Sequence, residues 1–256
     1  MKHRSPIENR PEAPRVGTFV KTGSAAQVEI LGLAGLDFAI LDAEHAPLDL
    51  PALDRMLLAG RATGLPCLVR LRGRDPAMAG AVLDLGAAGI VVPHTCSAED
   101  ARQAVSIARY AGGERGFSPS TRAGGYGAAR PDTYPPLADA AVAVWCQVED
   151  ARALAALDAI AATPGIDCLL VGPADLAVSL GTAPGTPAWT EAIEAIVAAG
   201  RRHGVAVGIA VGDIDDGRRW LDAGVDRLVC GSDQAFVAAG ARRVRTAFSP
   251  APSGVS

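Results

Sequence analysis

Short apolar runs alternate along the chain with longer stretches whose apolar positions recur every three or four residues, and the alternation repeats about eight times. The short runs predict strands over residues 16–20, 37–42, 66–71, 89–93, 142–148, 167–171, 205–211 and 226–231. They are apolar at nearly every position, as parallel strands covered on both faces should be. The longer stretches predict helices over 48–63, 75–85, 98–110, 150–162, 187–203, 214–223 and 234–248. Several open beside Ser, Asp or Thr and stop at glycine, the capping chemistry that starts and ends helices.

Eight such strand–helix units, without a GxGxxG after the first strand and without a Walker A loop, favour a closed barrel over an open doubly wound sheet. The expected architecture is a single-domain α/β fold, a (β/α)8 TIM barrel over 16–248. A flexible tail is expected at either end, over 1–15 and 249–256. Two segments exceed a minimal barrel. Residues 112–136 form a long Gly-, Pro- and Ser-rich loop before the fifth strand, and 172–187 holds a short helical turn and a Gly/Pro-rich connector.

Composition narrows the function. The chain has 256 residues, 49% of them hydrophobic, enough for one barrel with a large core. A net charge of −4 with no basic stripe argues against a nucleic-acid surface. No run is long enough to span a membrane, and the N-terminal segment lacks an apolar signal core. Of the five cysteines, Cys67, Cys146, Cys168 and Cys230 sit in or beside apolar runs. None forms a CxxC pair with another, which fits a reduced, cytoplasmic protein.

Barrel enzymes of this type carry their sites where the strands end. Strand two ends in Asp42-Ala43-Glu44-His45, strand three in Arg70, and strand four in Pro93-His94. Strand five ends in Gln147-Val148-Glu149, and strand six in Gly172-Pro173-Ala174-Asp175. Glu149 and Asp175, from neighbouring strands, make an oxygen-rich pair suited to a hard divalent cation. Alternatively, they open the helices that follow them. Arg70 suits a carboxylate or a developing enolate oxygen, or else a structural ion pair with Asp42 or Asp84. Asp42 and His45 suit a carboxylate-oriented general base, against a plain rim histidine; His94 is a second, weaker candidate. The chain has only two lysines, Lys2 and Lys21. Neither is placed as a desolvated Schiff-base amine, so an enolate would need a metal instead. Acidic residues after strands seven and eight (VGDIDD, GSDQ) disfavour a phosphorylated substrate.

The segments DFAILDAEHAP, LVRLRG, LDLGAAGIVVPH, RYAGGERGFSPSTRAGGYG, CQVED and PGIDCLLVGPADLAVSLG, in this order and spacing, resemble the HpcH/HpaI aldolases from about Gly17 to Phe248. The resemblance implies a class II aldolase that reversibly cleaves 4-hydroxy-2-keto acids to pyruvate, or a related 2-keto acid such as hydroxypyruvate, and an aldehyde. It implies Mg2+ or Mn2+, with Co2+ as an alternative, on Glu149 and Asp175, and no nucleotide cofactor. It also implies pyruvate held by Gln147, Gly172, Ala174 and Asp175, Arg70 on the enolate oxygen, and His45 oriented by Asp42 for proton transfer. Homo-oligomers, trimers or hexamers with a helix exchanged between neighbours, are expected of such a barrel. Phe19, Val211 and Gly212 are expected on the aldehyde side, with Arg122 of the long loop reading a second carboxylate or bracing the loop. The competing readings are a same-fold citrate lyase or citrate synthase, an oxaloacetate decarboxylase, and a non-catalytic binding barrel.

Overall fold

A computed structural model describes residues 14–248. The expected tails at 1–15 and 249–256 lie outside the described residues, except for positions 14 and 15. Arg15 opens the first strand, so the barrel begins one residue earlier than the pattern predicts.

The eight strands are β1 (Arg15–Val20), β2 (Phe38–Asp42), β3 (Cys67–Arg70), β4 (Gly89–Val92), β5 (Ala143–Val148), β6 (Cys168–Val171), β7 (Ala206–Val211) and β8 (Arg227–Ser232). All pair in parallel, and β8 returns to β1, closing the barrel in sequence order. Six strands start one residue later than predicted, and β2, β6 and β8 do so for one shared reason. Asp37, Asp167 and Asp226 turn their carboxylates onto the backbone N–H groups of Val16, Val144 and Val207 in the preceding strand, at 2.9, 2.7 and 2.8 Å. Each stitches two strands at the closed end of the barrel instead of extending its own.

The helices are α1 (Ala25–Leu33), α2 (Leu50–Thr63), α3 (Pro76–Asp84), α4 (Ala98–Ser106), α5 (Tyr134–Ala141), α6 (Leu157–Ala161), α7 (Pro173–Ser179), α8 (Pro187–His203), α9 (Ile214–Asp222) and α10 (Asp233–Ala247). Two escape the periodicity. α1 is apolar almost all round and leaves Ile30 and Leu33 exposed, so it has no clear stripe. α5 begins within the stretch expected to be loop, because Pro135 and Pro136 read as breakers yet are tolerated in a first helical turn. The helix expected over 150–162 is a 3-10 turn (Ala151–Ala156) running into the short α6. No described helix is long and apolar enough to cross a membrane.

Side-chain parity divides the core in two. Phe38, Ile40, Leu68, Val91, Ala143, Trp145, Cys168, Leu170 and Val229 fill the barrel interior, with Phe38 and Trp145 edge to face at 5.2 Å. Gly17 is required there, since a Cβ would come within 2.5 Å of the Phe38 ring. The alternate strand residues, such as Leu41, Val69, Val92, Cys146 and Val171, pack outward against the helices. Continuing the inward parity one step past the packed interior brings up Asp42 from β2, Arg70 from β3, Gln147 and then Glu149 from β5, and Gly172 from β6. The fold therefore delivers these polar groups to one mouth.

Candidate active site

At that mouth lies a cavity of about 320 Å3 lined by Phe19, Lys21, His45, Arg70, Gln147, the turn Gly172–Asp175, and the small or apolar residues Ala210, Val211, Gly212, Val229 and Gly231. Its β2–β6 wall is charged and its β7–β8 wall is apolar. The expected aldehyde-side residues Phe19, Val211 and Gly212 all line it.

Asp42 and Arg70 are direct cross-strand partners. Arg70 donates from Nε to Asp42 Oδ1 at 2.9 Å and from Nη2 to Oδ2 at 2.6 Å, a bidentate fork. Its Nη1 lies 3.3 Å from Glu44 and donates to Gln147 Oε1 at 3.4 Å. The Phe19 ring stacks on the guanidinium at 4.6 Å. Of the two ion-pair partners weighed for Arg70, Asp42 is the real one; Asp84 pairs instead with Arg115 at 3.2 Å.

Asp42 has no exposed surface and serves as a hub. Besides Arg70 it accepts the backbone N–H groups of Glu44 and His45, at 3.2 and 3.1 Å, and pairs with Lys21 Nζ at 3.2 Å. Burial alone would raise its pKa. The hydrogen bond and charge of Arg70, aided by the His45 N–H and Lys21, outweigh burial and hold the carboxyl below its ordinary value. The expectation that Asp42 orients the His45 imidazole needs correcting. Asp42 holds the His45 main chain, because the turn after β2 folds back over the carboxylate, and the ring's carboxylate neighbour is Glu44 at 3.7 Å.

Glu149 is buried. It accepts the His94 backbone N–H at 2.8 Å, and Gln147 donates its side-chain amide to the other oxygen. Gly172 packs directly on it: a Cβ there would stand 2.8 Å from Glu149 Cβ and 2.9 Å from Oε2. From Gly172 the chain enters α7, where the Ala174 and Asp175 N–H groups precede the first intrahelical bond, Leu176 N–H to Gly172 O at 3.0 Å. Asp175 is exposed in the cavity wall.

Two residues to which the sequence reading gave little weight join this group. His94 spans two carboxylates, with Nδ1 3.1 Å from Glu149 Oε1 and Nε2 3.2 Å from Glu44 Oε1. One ligand atom each from Glu44, His94 and Glu149 lie within 4.8 Å of one another, and Asp175 is not part of that trio. Burial raises the Glu44 carboxyl above its usual range; Arg70 opposes the shift and Glu149 adds to it. Glu44 Oε2 is buried and meets no donor in hydrogen-bonding geometry, although Arg70 lies 3.3 Å away. Two converging carboxylates, one of them with a buried oxygen that meets no donor, and an imidazole are a donor set that fits a divalent cation. The available signal was position alone: Glu44 and His94 stand at strand ends, as do the other candidates.

The long loop sits elsewhere. Arg122 donates to Leu85 O at 2.8 Å and pairs with Asp54 at 2.5 Å, and Ala123 N–H bonds Asp84 O at 3.1 Å. Asp84 and Leu85 end α3, just before β4 begins, and Asp54 lies on α2. Within its own barrel Arg122 braces the loop and does not reach the mouth.

The family model described as HpcH/HpaI aldolase/citrate lyase matches residues 15–239. A hydroxypyruvate/pyruvate aldolase of Paraburkholderia phytofirmans is 38% identical over 90% of this chain and 92% of its own length. A 2-dehydro-3,6-dideoxy-6-sulfogluconate aldolase of Pseudomonas putida is 35% identical over 96% and 98%. The crystal structure of an HpcH/HpaI aldolase/citrate lyase family protein from Burkholderia cenocepacia J2315 superposes with a TM-score of 0.88 at 36% identity, covering 92% of this chain and 94% of that one. This chain belongs to the HpcH/HpaI aldolase/citrate lyase family, and is by that membership a carbon–carbon lyase.

Proposed function

We propose that the chain is a class II aldolase that reversibly cleaves 4-hydroxy-2-keto acids to pyruvate, or a related 2-keto acid such as hydroxypyruvate, and an aldehyde. The observation that carries this reading is the placement of Arg70. A guanidinium whose side chain is only 5% exposed is locked by Asp42 at the wall of a small cavity, beside Gln147 and the start of α7. A donor fixed in advance stabilises developing oxyanion charge without reorganising during the reaction. The names of the relatives described above, a hydroxypyruvate/pyruvate aldolase and a 2-dehydro-3,6-dideoxy-6-sulfogluconate aldolase, support this substrate class.

In this reading Glu149 and Asp175 hold Mg2+ or Mn2+, with Co2+ as an alternative. Gly172 supports it, because it presses on Glu149 and begins the turn that presents Asp175. The ion, when bound, supplies Lewis-acid polarisation of the keto group. The chain's own residues do the rest. The Ala174 and Asp175 N–H groups receive the keto-acid carboxylate, Arg70 faces the enolate oxygen, and Gln147 fixes the substrate plane. His45, held by its main chain on Asp42, exchanges the hydroxyl proton. Lys21, the only lysine among the described residues, is engaged in an ion pair with Asp42 at 3.2 Å, which disfavours it as a Schiff-base nucleophile. The apolar β7–β8 wall accommodates the aldehyde. The reading includes a cytoplasmic homo-oligomer, trimeric or hexameric. The outward face of α10, which exposes Phe236, Val237 and Val244, supports association.

The test is pyruvate release from a panel of 4-hydroxy-2-keto acids, with Mn2+ and after complete chelation. Release that stops on chelation and returns with Mn2+ is expected. Release that survives chelation, or a panel left untouched while citrate or oxaloacetate turns over, overturns the proposal.

A further inference from the structure

His94 combines three features that the proposed reaction does not use. Its backbone is left-handed, with φ of 54°, a conformation that Cβ sterics disfavour in any non-glycine residue. Both sides of that strained residue are fastened, the N–H to Glu149 Oε1 at 2.8 Å and the carbonyl to Arg74 Nη1 at 3.3 Å. The ring is thereby held between two carboxylates, Nδ1 towards Glu149 and Nε2 towards Glu44.

The spacing is informative. Adjacent ligand atoms of an octahedral ion, each about 2.1 Å from it, stand about 3.0 Å apart. His94 Nδ1 and Glu149 Oε1 are separated by 3.1 Å. Histidine ligands usually donate the second ring N–H to a carboxylate, which fixes the tautomer. Glu44 Oε1 waits at 3.2 Å from Nε2, on a side chain only 9% exposed whose other oxygen meets no hydrogen-bond donor.

We infer that His94 is a nitrogen ligand of the divalent ion, bound through Nδ1 beside Glu149, with Glu44 accepting Nε2–H to orient the ring. The inference rests on the proposed metal-dependent reading and refines its metal preference. An all-oxygen site takes Mg2+ readily, whereas an imidazole shifts the preference towards Mn2+, Co2+ and Zn2+.

The experiment uses the full chain loaded with Mn2+ and measured by electron spin echo envelope modulation. Wild type should show 14N modulation from one imidazole. His94→Gln should lose it while still binding Mn2+, and His45→Gln should keep it. His94→Gly provides a second variant, since glycine adopts the left-handed backbone without strain; added free imidazole should restore the modulation. By calorimetry, His94→Gln should weaken Co2+ binding at least about tenfold and change Mg2+ binding much less. Mn2+ bound without 14N modulation, or with modulation that survives His94→Gln and His94→Gly, overturns the inference and leaves the aldolase reading standing. Failure to bind Mn2+, or binding untouched by Glu149→Gln, overturns both.

Discussion

Replacing Gly172 by alanine adds one methyl group at the most tightly packed contact of the site. The backbone tolerates the change: φ −95° and ψ 84° are open to any L residue. The cost falls on Glu149. The new Cβ would lie 2.8 Å from Glu149 Cβ and 2.9 Å from its Oε2, and ordinary contact begins at 3.4 Å, so β5 or β6 must yield by about 0.6 Å and carry the carboxylate with it. Gln147 Nε2, 3.2 Å from the same point, limits sideways relief. Overpacking of this kind destabilises by about 1–3 kcal/mol, or about 2–12 °C in Tm for a domain of this size. Misplacing a reacting group by 1 Å can lower turnover about 100-fold, so a loss of about tenfold is expected here. Pyruvate release coupled to lactate dehydrogenase reads turnover, and calorimetry with Mn2+ reads the ion. Gly80→Ala is the matched control. Gly80 lies within α3 with nothing within 4 Å of its virtual Cβ, so alanine there should stabilise by about 0.5–1 kcal/mol and leave activity alone. Gly172→Ala with wild-type turnover and Mn2+ affinity would show that Glu149 is not where the chemistry occurs.

Arg70→Lys keeps a charge but loses the fork to Asp42 and the stack on Phe19. Turnover should fall about 100- to 1000-fold with the circular dichroism spectrum unchanged, and a loss under tenfold would remove Arg70 from its role. Asp42→Asn leaves the buried guanidinium short of its main counter-charge. Urea unfolding should show a loss of about 3 kcal/mol, the lower end for a broken buried pair because Glu44 remains near; a change under 1 kcal/mol refutes the hub. The Asp42 carboxyl has a folded pKa below its unfolded value of 3.8, so its contribution is present above that pH and lost as pH falls through the folded value. Asp42→Asn should therefore flatten the acid limb of stability against pH in wild type, and an unchanged limb would place the titration elsewhere. Asp233 is buried and its carboxylate takes the Lys21 and Thr22 N–H groups and the Thr22 hydroxyl. Asp233→Asn should cost about 1–3 kcal/mol and raise KM more than it lowers kcat, since it loosens the loop that carries Lys21; an equal fall in kcat would argue against a role confined to the loop.

The barrel was legible because each buried strand is a continuous apolar run, and a closed parallel sheet needs no more than that. Its errors are local and physical: the Asp37, Asp167 and Asp226 stitches mimic strand starts, and Pro135–Pro136 hides a helix. The site was legible to the extent that strand parity decides it, which covers Asp42, Arg70, Gln147, Glu149 and Gly172. Partnerships were not. That His94 meets both Glu44 and Glu149, or that Asp42 grips the His45 main chain and not its ring, depends on loop conformations and on strands brought together by closure. No local spacing encodes those.

The two walls of the cavity have separate scaffolds. On one side Asp42 ties Lys21, Arg70 and the 44–45 turn into a single lattice, so no member moves alone. On the other, Ala210, Val211, Gly212, Val229 and Gly231 bring little besides backbone and small apolar groups. In the proposed reading, carving or filling that second wall would alter which carbonyl partner fits while the charged half keeps its geometry. Such a barrel can change customers without relearning its trade, and an engineer seeking new products would start at β7.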